Sequence, residues 1–331
     1  MFPWGGERRF NAYSHYCRTH FGGRIQKLTV DAGFSCPNRL NRTQGGCTYC
    51  ANNAFSPSYL AEIKDVVSQL KQGKTFFQKR YPKNCGYFAY FQSYTNTNAP
   101  SEILRDKFEA ALNMPDIKGL IISTRPDCLS EEVLDYLSGL NTRTHLTVEV
   151  GVESFHNETL THIHRGHTVE CTFESFKELC SRNISTCAHL IFGLPNETRM
   201  QWLSDVQILN QLQPQFVKFH QLQIFKNTAM EAEYRDHPER FHPLSADDYV
   251  QFLCDYLERM SPEIVIERLS AEVPPRYLAV SQWNLLRHDR LVRKVEEELR
   301  RRNTWQGVAV DVTTNCQPFV SIERSNLTNN S

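Results

Sequence analysis

KLTVDAG (27–33) runs directly into FSCPNRLNRTQGGCTYC (34–50), so an apolar, strand-like run delivers the chain into a loop bearing Cys36, Cys47 and Cys50. Cys47 and Cys50 sit one tight turn apart, which lets both sulfurs face a common centre. The polar, glycine-bearing PNRLNRTQGG (37–46) between the first two cysteines can arc back and return the third. Three thiolates can hold an iron–sulfur cubane by three corners and leave one iron open for chemistry. A structural zinc site is the alternative. Zinc wants four closed ligands, no second C-x2-C or H-x3-H completes the set, and Cys17 or Cys85 would have to be recruited. Ligand arithmetic favours iron–sulfur over zinc and leaves both open.

Working outward from that loop, short β-rich runs alternate with helical patterns. The runs are 27–33, GYFAYFQSY (86–94), GLIISTR (119–125), HLTVEVGV (145–152), STCAHLIFG (185–193) and FVKFHQLQ (216–223). Between them lie helical stretches such as SEILRDKFEAALNM (101–114) and SEEVLDYLSGL (130–140), several opened by Ser or Asp with an early Glu. This alternation means βαβ units and a parallel sheet. Six units predict a partial, open (β/α)6 barrel of the TIM type, in the α/β class. The expected organisation is an N-terminal arm (1–22), a core barrel (23–262), a C-terminal α/β extension (263–323) with EIVIERLSAE and HDRLVRKVEEELRRRN, and a polar, disordered tail (324–331). In such a barrel the chemistry sits on loops after the strands, and here every such loop is polar: the cysteine loop, QSYTNT, TRPDC, GVESF and FGLPNET.

Composition narrows the class. Lys and Arg total 37 and Asp and Glu total 37, so no global field attracts nucleic acid or membrane. Eleven cysteines are an odd count without a disulfide framework, which suits a reducing compartment. The opening MFPWGGERRF lacks an apolar signal core, and no run of eighteen apolar residues occurs. A cytoplasmic protein with no membrane partner is expected.

FSCPNR…GGCTYC, AYFQSYTNT (89–97), TRPDC (124–128), VEVGVES (148–154) with HRGHT (164–168), and HLIFGLPNET (189–198) together resemble the radical S-adenosylmethionine (radical SAM) superfamily, in particular its Elongator-catalytic-subunit-like branch. The resemblance covers most of the chain. The commonest signature of the superfamily is C-x3-C-x2-C; the first gap of ten residues here is that of this branch. The resemblance implies a 4Fe-4S cluster on Cys36, Cys47 and Cys50 whose open iron is chelated by S-adenosylmethionine. It implies reductive cleavage to a 5'-deoxyadenosyl radical that abstracts hydrogen, with electrons from a donor such as flavodoxin or ferredoxin.

By position in the family pattern, the resemblance places Tyr49 near the adenine, with packing on the barrel as the alternative. Gln92, Ser93 and Thr95 stand where relatives offer oxygens to the methionyl amino group, although the usual Gly-Gly-Glu is absent. Glu153 is assigned to the ribose hydroxyls and Arg165 to the methionyl carboxylate, which a guanidinium fork matches; the alternative is that they pair with each other. Glu149 shares a strand face with Glu153 and needs a partner or a substrate. His189 is placed at the ribose or in the core, and Cys128 is a thiol hydrogen donor or an inert cysteine. The branch acts on the tRNA wobble uridine. Arg8, Arg9, Arg18, Arg287, Arg290, Arg293, Lys294, Arg300, Arg301 and Arg302 offer a basic surface for tRNA, or simply a solvated face. A small metabolite in the barrel mouth is the second substrate reading, and a non-catalytic metal module the third.

Overall fold

Seven apolar runs become seven parallel strands, paired in chain order: β1 (Ile25–Val30), β2 (Gly86–Phe91), β3 (Ile117–Thr124), β4 (His145–Glu153), β5 (Ser185–Phe192), β6 (Phe216–Gln221) and β7 (Val265–Arg268). The structure, a computed structural model, describes residues 1–41, 44–60, 65–81, 86–280, 283 and 286–310. Helices fill the connections: α1 (Tyr13–Phe21), α2 (Val66–Arg80), α3 (Ser101–Leu112), α4 (Glu131–Asn141), α5 (Asn157–His162), α6 (Val169–Ser181), α7 (Arg199–Leu212), α8 (Ala229–Asp236), α9 (Ala246–Arg259) and α10 (His288–Arg301). Local chemistry starts several of them. Asp65, Ser130, Thr168, Thr228 and Ser245 cap their helices, and Thr198 with Gln201 forms a reciprocal capping box on α7.

The result is a partial TIM-type barrel, as expected, with one strand more than the six counted from sequence. β7 lies within EIVIERLSAE and pairs with β6, Phe216 opposite Val265 and Val217 opposite Ile266. The sequence reading places this strand in the C-terminal extension, and its pairing with β6 makes it the seventh strand of the barrel sheet. Among the described residues no ladder joins β7 to β1. The free edge of β7 is met instead by the chain's own start: the Ile266 amide donates to the Asn11 carbonyl at 2.7 Å, and Ala12 bridges Ile266. The Asn11 side chain is held in turn by Pro262 and its amide by Gln306. Residues 311–331, including Cys316 and the expected disordered tail, lie outside the described residues, as does Cys85.

Period-two alternation divides each strand between two surroundings. Leu28, Ala89, Phe91, Leu120, Val148, Val150, Ala188, Val217 and Phe219 face outward into the core beneath the helices. Ile25, Phe88, Ile121, Cys187, Phe216 and Val265 face inward at the amino ends of the strands. There α1 closes the barrel floor. Tyr13 and Tyr16 pack edge-on against Phe216 at 5.4 and 5.0 Å, and Phe21 against Phe88 at 5.2 Å. Cys17, a possible fourth metal ligand in the sequence reading, is buried in this floor, and burial pushes its thiol up.

Candidate active site

The cysteine loop is anchored at both ends. After β1, Gln69 from α2 donates to the Asp31 carbonyl and accepts from its amide, both at 2.8 Å. Gly46 then donates to the Asn38 carbonyl at 2.8 Å and Cys50 to the Cys47 carbonyl at 3.0 Å, so Cys47 and Cys50 flank one turn. Asn38 reaches across to the carbonyls of His164 and Arg165, each at 2.7 Å. The neighbouring Gly166 has φ +78°, and a Cβ there would stand 2.4 Å from Asn38 Oδ1, so only glycine fits this stitch.

N–H donors point at the sulfurs. Asn38 Nδ2 is 3.6 Å and Arg165 Nη1 3.7 Å from Cys47 Sγ, and Asn52 Nδ2 is 3.7 Å from Cys50 Sγ. Burial raises the Cys50 thiol, with Arg39 opposing it. Among the described residues, the His, Cys, Asp and Glu set whose donor atoms all lie within 4.8 Å of one another is Glu149, Cys187 and Glu267. Three soft thiols with N–H donors aimed at sulfur suit an iron–sulfur cluster.

The cleft beside the cysteines gathers most of the expected side chains. Cys36, Cys47, Tyr49, Cys50, Gln92, Thr95, Glu149, Glu153, Arg165 and His189 all line it. Glu153 ends β4 with φ 67°, a left-handed conformation that turns its carboxylate toward His189 Nδ1 at 2.7 Å and Arg165 Nη2 at 3.2 Å. Burial alone would raise this carboxyl; His189 and Arg165 outweigh it and hold it at about 2. Arg165 also donates to the Gly151 carbonyl at 2.7 Å and to His167 Nε2 at 3.0 Å. A Cβ at Gly151 would lie 2.3 Å from Arg165 Nη2, so the glycine admits the guanidinium. The Glu153–Arg165 pairing weighed from sequence is therefore present. Tyr49 lines the cleft and also packs on the apolar set of Leu160, Ile163, Ile191 and Leu222.

Two expected residues sit apart. Ser93 is buried and does not line the cleft. Cys128 closes the turn Pro126–Cys128, half-buried and off the cleft lining; burial first, then Asp127, pushes its thiol up to about 12.

Glu149 belongs to a group that sequence reasoning missed. Inside the barrel its carboxylate meets Lys27 of β1 at 3.2 Å and Lys218 of β6, and it accepts from Tyr90 at 2.8 Å and Ser123 at 2.9 Å. Glu267 of β7 pairs with Lys27 at 2.5 Å and Lys218 at 2.8 Å. Burial opposes the charge on Glu149, and Lys218 and Lys27 overcome it, holding the carboxyl well below the carboxylate range. Two ammonium groups already supply the positive charge, so this set is a salt network. Arg125, His220 and Arg268 also line the cleft unforeseen. The available signal is a charge at an inward position of an apolar strand, lone in IQKLTV and FVKFHQ and doubled in VIER.

Comparison with known proteins agrees with this geometry. The radical SAM superfamily model matches residues 36–208, and that of the Radical_SAM C-terminal domain matches 214–301. The uncharacterized protein YtqA of Bacillus subtilis is 36% identical over 308 residues, 92% of this chain and 94% of that protein. A tRNA uridine(34) acetyltransferase of Methanocaldococcus infernus is 25% identical over 159 residues, 47% of this chain and 29% of that one. The solved Elp3 of the same archaeon, with an N-terminal deletion, has the same fold at TM-score 0.61 and 16% identity, over 86% of this chain and 64% of that chain. Among the described residues no helix is long and apolar enough to cross a membrane. With cysteine loop, barrel and family match in agreement, the chain belongs to the radical SAM superfamily of enzymes.

Proposed function

We propose that this chain binds a 4Fe-4S cluster at Cys36, Cys47 and Cys50 and cleaves S-adenosylmethionine reductively to abstract hydrogen from a substrate in the barrel. The observation that carries it is the convergence of the three cysteines with Glu153, Arg165 and His189 on one cleft. When bound, cluster and cofactor supply carbon–sulfur cleavage and a 5'-deoxyadenosyl radical, with electrons from a donor such as flavodoxin or ferredoxin. The protein's part is position. Tyr49 offers a face to the adenine, Glu153 an acceptor to the ribose, and Arg165 a cation to the methionyl carboxylate. Gln92 and Thr95 offer oxygens to its amino group, while the closed floor excludes water. Cys128 is a thiol donor on this reading only if its turn opens toward the cleft. Anaerobic reconstitution should give four irons and four sulfides per chain, and reduced protein should yield 5'-deoxyadenosine and methionine. Stoichiometric zinc without sulfide would refute it.

The substrate we propose first is a tRNA wobble uridine side chain, supported by the likeness to a tRNA uridine(34) acetyltransferase. A small metabolite is the second reading, and the pairing of α10 favours it. Lys294 pairs with Asp247, Arg301 with Glu298, and Arg302 with Asp255, Glu258 and Glu298; Arg287 and Arg293 face Asp289. Cations spent on neighbouring acids offer little to phosphates. Nucleoside analysis of tRNA from anaerobic cells lacking the gene separates the two readings, a lost wobble modification supporting the first.

A further inference from the structure

We propose that Arg268, oriented by His220, is an anion site inside the barrel that receives a phosphate or carboxylate group of the substrate. This rests on the radical SAM reading and adds the charge of the molecule acted upon.

Among the described residues, the charged groups around Glu149 do not balance. Lys27, Lys218 and Arg268 bring three cations, and Glu149 and Glu267 bring two carboxylates. Each lysine contacts both acids, so those four groups balance among themselves. Arg268 is the surplus: among the described residues no carboxylate oxygen lies within 4.0 Å of it. Its polar partner is His220, with Nη1 3.4 Å from Nε2. Burial first, then His189 and Arg268, hold His220 well below the usual histidine range, so the ring is neutral and orients the guanidinium without cancelling its charge. His189 packs against the same ring at 4.1 Å between centroids, fixing it.

Position distinguishes this cation from the two beside the cluster loop. Among the described residues, Arg39 and Arg165 are arginines hydrogen-bonded to the loop cysteines. Arg268 stands on the last strand, where Tyr90, His220 and His288 feel its charge. It lines the cleft together with Tyr90, Glu149 and His220, at the carboxyl end of β7. A half-buried guanidinium without a counter-charge is costly, and its fork matches two oxygens of a carboxylate or phosphate.

The test uses full-length protein with the cluster reconstituted anaerobically. Inorganic phosphate and acetate are titrated separately by calorimetry into wild type, Arg268→Gln and Arg268→Lys, with folding checked by thermal melts. One anion site is expected in wild type, weakened about 10-fold or more in Arg268→Gln. Arg268→Lys, which keeps the charge without the fork, should fall between them. Tighter binding of phosphate points to a nucleotide phosphate, and tighter binding of acetate to a carboxylate metabolite. Saturating S-adenosylmethionine should leave the site available. Competition by S-adenosylmethionine would assign the cation to the cofactor's carboxylate and overturn the proposal. Equal binding by wild type and Arg268→Gln, or no binding by wild type, would also overturn it. Cluster absorbance of the same wild-type sample reports on the radical SAM reading separately. Protein that holds no cluster yet binds anions through Arg268 would keep the site and refute that reading.

Discussion

The two ends of this barrel are built from the same strands and obey opposite rules. At the floor, Ile25, Phe88, Phe216 and Val265 meet the aromatic face of α1, and almost every contact is apolar. At the mouth, further along those strands and on the loops that follow them, cysteines, carboxylates and guanidinium groups face one cleft. The floor gains stability from burial, about 1.5–3 kcal/mol per large side chain. The mouth holds charges that pair with one another while the cleft stays open. Stability and chemistry are thus separated along one axis, with the Lys27–Glu149–Lys218–Glu267 network between them.

The sharpest break of that division would come from the cysteines. Alanine at Cys36, Cys47 or Cys50 should abolish the cluster's absorbance and its EPR signal. Melts of cluster-free protein should move little. A large loss of stability in cluster-free protein would show that the mouth also carries the fold. The converse is Phe216→Ala, which should cost about 3–5 kcal/mol of unfolding free energy. Cluster content per folded molecule should stay normal, and loss of cluster in the folded fraction would erase the distinction. Smaller is Arg165→Ala, which should weaken S-adenosylmethionine binding by about 1.5–3 kcal/mol, read by calorimetry. Unchanged affinity would place the cofactor's carboxylate elsewhere.

The least effect should be a pH dependence. Glu153 is held at about 2 against an ordinary 4.5, with burial opposed by His189 and Arg165. A depressed folded-state value stabilises the protein above the unfolded value, and that contribution fades as pH falls from about 4.5 through 2. Urea unfolding of cluster-free protein should show this acid limb, flatter in Glu153→Gln. An equal limb in both proteins would mean that Glu153 is not paired as described.

Much of this was legible in the sequence because it is local. The C-x10-C-x2-C loop, the six longer strands and Glu153 at the end of VEVGVE each announce themselves within a few residues. What escaped depends on register. Lys27, Glu149, Lys218 and Glu267 come from four strands spread over most of the chain, and only strand pairing brings them together. α1 gave an aromatic, basic segment with nothing to say that it closes a floor. Cys128 was placed on the right loop, yet one turn decides whether a side chain faces the cleft, and composition does not encode that turn.

The bridge between Ala12 and Ile266 also sets an order of events. The segment that covers the sheet's last edge is synthesised ~250 residues before its partner. At roughly 5–20 residues per second that is an interval of tens of seconds. During it, Asn11 and Ala12 lack the strand that they pair with. Through that interval a nascent chain of this protein carries an edge-covering segment without its edge, until the seventh strand reaches it.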